Sequence, residues 1–384
     1  MATVGKICKE GVWDESIPGI HFDRNGISNY ASIFHKVAAD YPNDARGKNV
    51  WEEYIAKIKQ AGANKKYDCI IGLSGGTDSS YLLHVAKENG LKPLAVYLDN
   101  GWASEISVSN IEKMTKALNV DLETYVINYD EVKDVLKAYL KAGLPWADSP
   151  TDIAIKAILL KKAHAYGMKY VLIGHDFRTE GFQPTEWTYS DAKQLKYIAK
   201  RFSGRKLKSF PSLSVFQFGY LSYIKKIKLL RPFFYMQYNK SEAKKLLKDV
   251  YDWKDYGGHH YENVFTKFII TYWLFEKFGI DKRKITYSAL ILNGEMTREE
   301  ALLLLANKPY SENEIEKDME YLCKKLNFSK EEFQAVFKTP NRFFYDYPSY
   351  FPMIKRFKKI TYPLVKYFLP NKPLFIYQSE GRDT

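Results

Sequence analysis

The chain of 384 residues carries a formal charge of +13, with 46% hydrophobic, 27% charged and 16% aromatic residues. This is a globular balance, long enough for roughly two to three domains. It has no apolar run of about eighteen residues and no charged-then-apolar signal pattern, which excludes an ordinary membrane-spanning helix and makes a soluble cytoplasmic protein the expectation; three cysteines, Cys8, Cys69 and Cys323, are too few for a disulfide framework.

In chain order, residues 1–47 read as a leader rich in turn signals (Pro18-Gly19, Asn25-Gly26), and 48–60 have helical spacing. Tyr67–Ile71 reads as a strand, and the helical pattern around Tyr81–Ala86 is closed by Gly90. Leu94–Leu98 reads as a second strand. Ser104 can cap a helix that places Ile106, Ile111, Met114 and Leu118 on one side. Leu122–Ile127 reads as a third strand, helical patterns cover 130–142 and 151–166, and Tyr170–Gly174 is another short strand. Repeated strand–helix units predict an α/β fold with a doubly wound parallel sheet. The segment after 176 reads as irregular and basic, and the chain turns more helical from about 240. The expected divisions are a leader at 1–47, a nucleotide-binding α/β domain at 48–240 and a mainly helical region at 241–384. Lysine clusters fall at 193–208, 225–231 and 354–366. The last alternates with aromatics and reads as a peripheral membrane or partner contact.

The densest signal is Ser74-Gly75-Gly76-Thr77-Asp78-Ser79-Ser80, between the first strand and its helix. A strand feeding a glycine turn and a helix start leaves backbone N–H groups for an anion. Glycines at 75 and 76 let the backbone approach a phosphate that a Cβ would hinder. No Gly-Lys-Ser/Thr follows at Walker spacing, and no Gly-x-Gly-x-x-Gly occurs here. The segment resembles the SGGxDS pyrophosphate loop of the ATP pyrophosphatases, the PP-loop type of adenine-nucleotide hydrolase fold, which splits ATP into AMP and pyrophosphate. In such a sheet ligands bind beyond the carboxyl ends of the strands. There Asp99 after the second strand and Gly174-His175-Asp176 after a later one would join Ser74–Ser80 around the nucleotide.

Further stretches resemble one family, the ATP-dependent N-acetyl sugar amidotransferases of bacterial surface-polysaccharide biosynthesis. They are Asp14–Ile27, Gly174–Gly181, Lys206–Pro211, Tyr256–Phe268, Phe278–Lys284 and Gly294–Ala301. The family commonly carries two Cys-x-x-Cys pairs in the leader. Here Cys8 keeps its place, but Gly11, Ser28 and Ala31 stand at the others. One thiolate cannot build a tetrahedral sulfur site, so no zinc is expected.

The resemblance implies adenylation of an acetamido oxygen on a nucleotide-activated sugar, then displacement of AMP by ammonia, as in lipopolysaccharide O-antigen synthesis. The cofactors implied are ATP and Mg²⁺. The loop amides would hold the leaving pyrophosphate and Asp78 would serve Mg²⁺. His175, His260 and Glu262 are candidate catalytic groups, histidine suiting proton removal from ammonia near neutral pH. Arg178, Lys206, Lys208, His259, Lys267 and Arg283 are candidates for the sugar's phosphate or carboxylate. No cysteine sits in a glutaminase context. The resemblance therefore implies a separate glutaminase subunit and a barrel protein, like the cyclase of histidine biosynthesis, supplying ammonia. No nucleic-acid partner is expected. Two other readings stay open: a PP-loop enzyme modifying tRNA, which the basic charge suits, and a nucleotide-binding scaffold subunit without turnover.

Overall fold

A computed structural model describes residues 5–258 and 260–357. At its centre is a five-stranded sheet of β1 (Cys69–Gly72), β2 (Pro93–Asp99), β3 (Leu122–Val126), β4 (Tyr170–Leu172) and β5 (Lys228–Leu230), in the order β3-β2-β1-β4-β5. Every pairing is parallel, and Ile71 lies opposite Ala95 on one side and Leu172 on the other. From β1 the chain builds outward to β2 and β3, then crosses back to β4 and β5. The strand order reverses between β1 and β4, so the loops leaving these two strands open a crevice at their carboxyl ends.

Both faces are covered, which is why β1 reads as an uninterrupted apolar run. Ile70, Leu94, Val96 and Val171 enter one core. It is closed by α5 (Tyr129–Lys141) and α6 (Ser149–Ala165). Their neighbours Cys69, Ile71, Ala95, Tyr97 and Leu172 enter the other. That second core is closed by α1 (Asn29–Asp40), α2 (Ala45–Ala61), α3 (Thr77–Glu88) and α4 (Glu105–Ala117). The α5 stripe Val132, Val135, Leu136 and Tyr139 has the spacing of one buried helix face.

Two short turns of helix, α7 (Phe177–Glu180) and α8 (Thr185–Thr188), follow β4, then α9 (Ala192–Ser203) and α10 (Val215–Gly219), which runs into a π-helix over Tyr220–Ile224. The segment read as irregular is thus partly regular. Asp191 caps α9 and Gly204 ends it at φ +72°, both standard helix-end signals.

After β5 the chain is helical: α11 (Lys240–Tyr251), α12 (Val264–Phe268) continuing as a π-helix over Ile269–Lys277, α13 (Arg283–Leu292), α14 (Arg298–Leu305), α15 (Glu312–Leu326) and α16 (Lys330–Phe337). This region shares the core of the sheet. Phe265, Phe268 and Trp273 are fully buried, and the Trp273 indole donates to the Leu144 carbonyl at 2.9 Å.

The leader holds α1, which the turn signals concealed. Of the positions that carry cysteines in the resembled family, Cys8, Ser28 and Ala31 converge. The Ser28 amide donates to Cys8 Sγ at 3.3 Å, and the Ser28 hydroxyl accepts from the Ala31 amide at 3.2 Å as the cap of α1. Among the described residues no helix is long and apolar enough to cross a membrane. The end of the 354–366 cluster lies outside the described residues.

Candidate functional site

Between β1 and α3 the backbone turns at Gly75, with φ +77°. A Cβ there would lie 2.1 Å from the Ser107 carbonyl oxygen, so only glycine fits. The Gly75 carbonyl accepts from the Trp253 indole at 3.1 Å and the Asn110 amide at 3.3 Å. The turn is thereby fixed by α4 on one side and by the stretch after α11 on the other. Gly76 is the N-cap of α3 and contributes no side-chain cap. The loop's own hydroxyls serve its donors instead. Ser79 Oγ accepts from the Ser74 amide at 3.1 Å, Ser74 Oγ from the Gly76 amide at 3.3 Å, and the Tyr256 hydroxyl from the Thr77 amide at 3.0 Å. Ser79 therefore acts inside the loop, while Thr77 and Ser80 are buried under it.

Asp78 opens α3 and is held by both oxygens. The Tyr238 hydroxyl donates to Oδ1, and Lys240, the first residue of α11, donates to Oδ2 at 2.9 Å. Burial by itself would depress the Lys240 pKa, but the Asp78 and Glu180 carboxylates outweigh it and hold it above its ordinary value. Burial, reinforced by Asp78, pushes the Tyr238 phenol up.

The β4–α7 loop forms the second wall. A Cβ on Gly174 would come within 2.8 Å of the Asp78 carbonyl oxygen, so the two loops touch backbone to backbone. His175 Nδ1 lies 2.8 Å from Glu180 Oε2. Asp176 is 1% exposed, and neither of its carboxyl oxygens has a partner among the described residues. Burial pushes its pKa to about 7 against the opposing charge of Arg178.

The third wall is the segment between α11 and α12. Glu262 Cδ lies 3.3 Å from where a Gly76 Cβ would sit, and Glu262 Oε1 is 3.4 Å from His260 Nδ1. Burial acts to raise the Glu262 pKa, but the His260 bond and charge outweigh it and keep the carboxyl below its ordinary value. The segment is anchored at its backbone. The Glu262 carbonyl accepts from the Ser104 amide at 2.8 Å and the Ser107 hydroxyl at 3.1 Å.

Asp78, Gly174, His175, His260 and Glu262 are thus brought to one loop. Several other expected residues have protein partners of their own. Arg178 is 4% exposed and its guanidinium donates to the carbonyls of Tyr41 (2.5 Å) and Phe234 (3.3 Å), tying α7 to the end of α1. Arg283 is paired with Asp281 at 2.7 Å and donates to the carbonyls of Leu304 and Asn307. Lys267 pairs with Asp318 at 2.9 Å. Asp99 accepts from the Gly101 amide at 2.8 Å and the Tyr129 hydroxyl at 2.7 Å, which makes it a turn former. Lys206 and Lys208 are exposed, in a stretch that meets Glu131 at the start of α5 near edge strand β3. His259 lies outside the described residues.

Sequence reading missed Tyr238, Lys240 and Tyr256, which touch the loop from 160 to 179 positions away. No local spacing pointed to them. Beyond β2 and β3 lie two open depressions, one of about 550 Å³ lined by Tyr125–Asp130 and Ser209 and one of about 450 Å³ lined in part by Asn100–Trp102 and Lys325.

A five-stranded parallel sheet with Ser-Gly-Gly-x-Asp-Ser between β1 and α3 is the arrangement that the resemblance to the PP-loop α/β proteins implies. Residues 262–361 match the family described as LPS biosynthesis protein WbpG-like, C-terminal domain, which upholds the resemblance to surface-polysaccharide enzymes in this region. An uncharacterized protein of Methanocaldococcus jannaschii is 26% identical over 266 residues, 68% of this chain and 79% of the relative. The tRNA-specific 2-thiouridylase MnmA of Helicobacter hepaticus is 27% identical over 112 residues, 27% of this chain and 32% of that protein. The NMN synthetase structure from Francisella tularensis covers 77% of this chain and 99% of its own at 15% identity, with a TM-score of 0.33.

Proposed function

We propose that this protein is an ATP-dependent amidotransferase that converts an acetamido group on a nucleotide-activated sugar into an acetamidino group. The observation that carries the reading is a junction. The segment matching the lipopolysaccharide-biosynthesis domain begins at Glu262, and Glu262 stands against the glycine turn of the PP-loop.

An amide oxygen is a poor leaving group, so it must first be activated. In the proposed step the acetamido oxygen attacks the α-phosphorus of ATP, an O–P bond forms and pyrophosphate departs with its electron pair. Ammonia then adds to the imidate carbon, a proton leaves the nitrogen, and AMP departs with the former amide oxygen. The amides of residues 74–77 would bind the pyrophosphate oxygens in place of the hydroxyls that now accept from them, where charge develops. Lys240 would add a fixed positive charge. Glu262, kept ionised beside His260, is the proposed proton acceptor from ammonia.

Mg²⁺ fits this site only as an ion shared with substrate. The described residues contain no group of three His, Cys, Asp or Glu side chains able to hold a metal. Asp78 offers the single carboxylate that suffices when phosphates and waters complete the shell. When bound there, Mg²⁺ would neutralise charge on the departing pyrophosphate.

Ammonia would come from a separate glutaminase subunit through a barrel protein. Cys8, Cys69 and Cys323 are all buried, and burial pushes the Cys69 thiol well up, which suits packing and not nucleophilic attack. The same fact weighs against thiolation of tRNA, the second reading, which the MnmA match favours.

The test is mass spectrometry of products from a panel of nucleotide-activated N-acetyl sugars with ATP, Mg²⁺ and ammonium chloride. A loss of about one mass unit, oxygen replaced by NH, with AMP and pyrophosphate as co-products, is the expected result. ADP as the spent nucleotide, or turnover on tRNA alone, would overturn the reading.

A further inference from the structure

A short helix on the surface between β4 and β5 turns an apolar side outward. It runs from Val215 of α10 through the π-helical turn to Ile224, and Ser214 and Gln217 start it with a reciprocal capping box. Leu221 is buried in the core and Phe218 packs against that core, so these two fix the inward side. The outward side carries Phe216, 79% exposed, Ile224, 69%, Tyr223, 49%, and Tyr220, 46%. Their spacing of i, i+4, i+7 and i+8 puts them on one stripe. A Cβ at Gly219 would meet nothing within 4 Å, so no described element covers the helix there. Single exposed apolar residues are ordinary, but four on one short helix form a surface that water disfavours.

The charge around this helix has one sign. No Asp or Glu occurs from Ala192 to Ser241, whereas Lys193 to Lys228 holds ten lysines and arginines. Among the described residues only Arg205 of these ten is in an ion pair, with Asp134 at 3.1 Å. Direct contacts bring several cations to the end of the stripe. Lys225 Nζ lies 5.4 Å from the Tyr220 ring centroid, and Lys226 follows it, exposed. Lys169 donates to the Lys225 carbonyl at 2.7 Å, and the His164 ring meets Tyr220 edge-on at 6.2 Å between centroids.

These contacts also locate the stripe. His164 lies in the last turn of α6, and the Lys228 amide donates to the carbonyl of Lys169, the residue before β4, at 2.8 Å. The basic end is therefore beside the amino ends of β4 and β5, at the opposite end of the sheet from the crevice that holds the PP-loop.

The combination decides what fits. Lysine is depleted at protein–protein interfaces, so a protein partner matches the stripe but not its surroundings. Nucleic acid matches the cations, but its affinity comes from phosphate neutralisation and leaves Ile224 unused. An anionic bilayer matches both. Its headgroups meet the ammonium groups, the acyl boundary takes the apolar ridge, and the tyrosine hydroxyls stay at headgroup level.

We propose that Phe216, Tyr220, Tyr223 and Ile224, with Lys225 and Lys226, form a docking surface for an anionic lipid bilayer, the helix lying in the plane of the interface. The crevice at the other end of the sheet then stays open to the solution. This surface is separate in sequence from the cluster at 354–366 and does not depend on what the PP-loop binds.

Sedimentation of the full chain with sucrose-loaded vesicles tests it. The protein should pellet with vesicles of equal parts phosphatidylcholine and phosphatidylglycerol and not with phosphatidylcholine alone, and added salt should release it. Phe216→Ser with Ile224→Ser should weaken partitioning by about 10-fold or more, and so should Lys225→Gln with Lys226→Gln. Lys317→Gln with Lys324→Gln, which removes the same charge from exposed positions on α15, should stay within about 2-fold. Thermal melts should not move for the Phe216 and Ile224 pair, whose side chains are exposed. No pelleting with the anionic vesicles, equal pelleting with the neutral ones, or retained binding in both stripe variants would overturn the proposal. A dimer in gel filtration that Phe216→Ser with Ile224→Ser abolishes would assign the face to a second copy, and tRNA binding lost in both stripe variants would assign it to nucleic acid; either overturns it. The measurement uses no nucleotide, so its failure is separate from that of the amidotransferase reading.

Discussion

Asp78 has two tasks that pull on the same oxygens. In the proposed function it offers a carboxylate to a nucleotide's metal, and in the structure it neutralises Lys240 in a half-buried pair at 2.9 Å. Asp78→Asn should therefore lower AMP formation by at least about 100-fold and also destabilise the fold by about 3 kcal/mol, since Lys240 is left without its partner. Pyrophosphate release and a urea titration read the two effects separately. Tyr256→Phe should act in the opposite sense on binding. It frees the Thr77 amide, so ATP affinity should rise by a few-fold in equilibrium dialysis, as expected when one competing hydrogen bond of about 1 kcal/mol is removed. Ser74–Ser80 were legible in the sequence because they are contiguous and their chemistry is local. Lys240 and Tyr256 were not, since they reach the loop from 162 and 179 residues away. Arg178 was misread for a related reason. A guanidinium beside a strand end resembles a ligand group until the carbonyls of Tyr41 and Phe234 are seen to occupy it.

The β4–α7 element sets both the geometry and the pH response of the site. Gly174 touches the Asp78 carbonyl, so Gly174→Ala should force the two loops apart and weaken ATP binding by about 10-fold or more. Nucleotide titration by tryptophan fluorescence checks this. Removing the buried Arg178 ties with Arg178→Met should cost about 2–3 kcal/mol of stability. Asp176 gives the element a pH dependence. Its pKa is raised to about 7 in the folded chain from an ordinary 3.8, so the native state holds an extra proton between these values. Stability should then be highest below about pH 4 as far as this group is concerned, and fall as pH rises through 4 to 7, by roughly 4 kcal/mol at most. Asp176→Asn should flatten that slope, and denaturant unfolding at pH 5 and pH 8 measures it. The long strands and their amphipathic helices were legible because period and caps agreed over ten residues or so. β5, three residues reading Lys-Leu-Leu, was too short to stand out, and α1 was hidden by the turns that precede it.

At the scale of the molecule, the sheet and the helical C-terminal region fold as one core. Phe265, Phe268 and Trp273 pack in the same cluster as Ile70 and Val171, so a chain ending at residue 258 should lose both solubility and nucleotide binding, as gel filtration of the truncated protein would show. One feature of the resting loop bears on how nucleotide is captured at all. Its amides are already served by the hydroxyls of Ser79, Ser74 and Tyr256, so an arriving triphosphate trades one set of bonds for another of similar number. What remains to drive capture is the field of the surrounding cations acting on a polyanion. Under the proposed function, tightness should thus track ionic strength far more steeply than temperature, and ATP would be told from neutral adenosine by voltage and not by count of contacts.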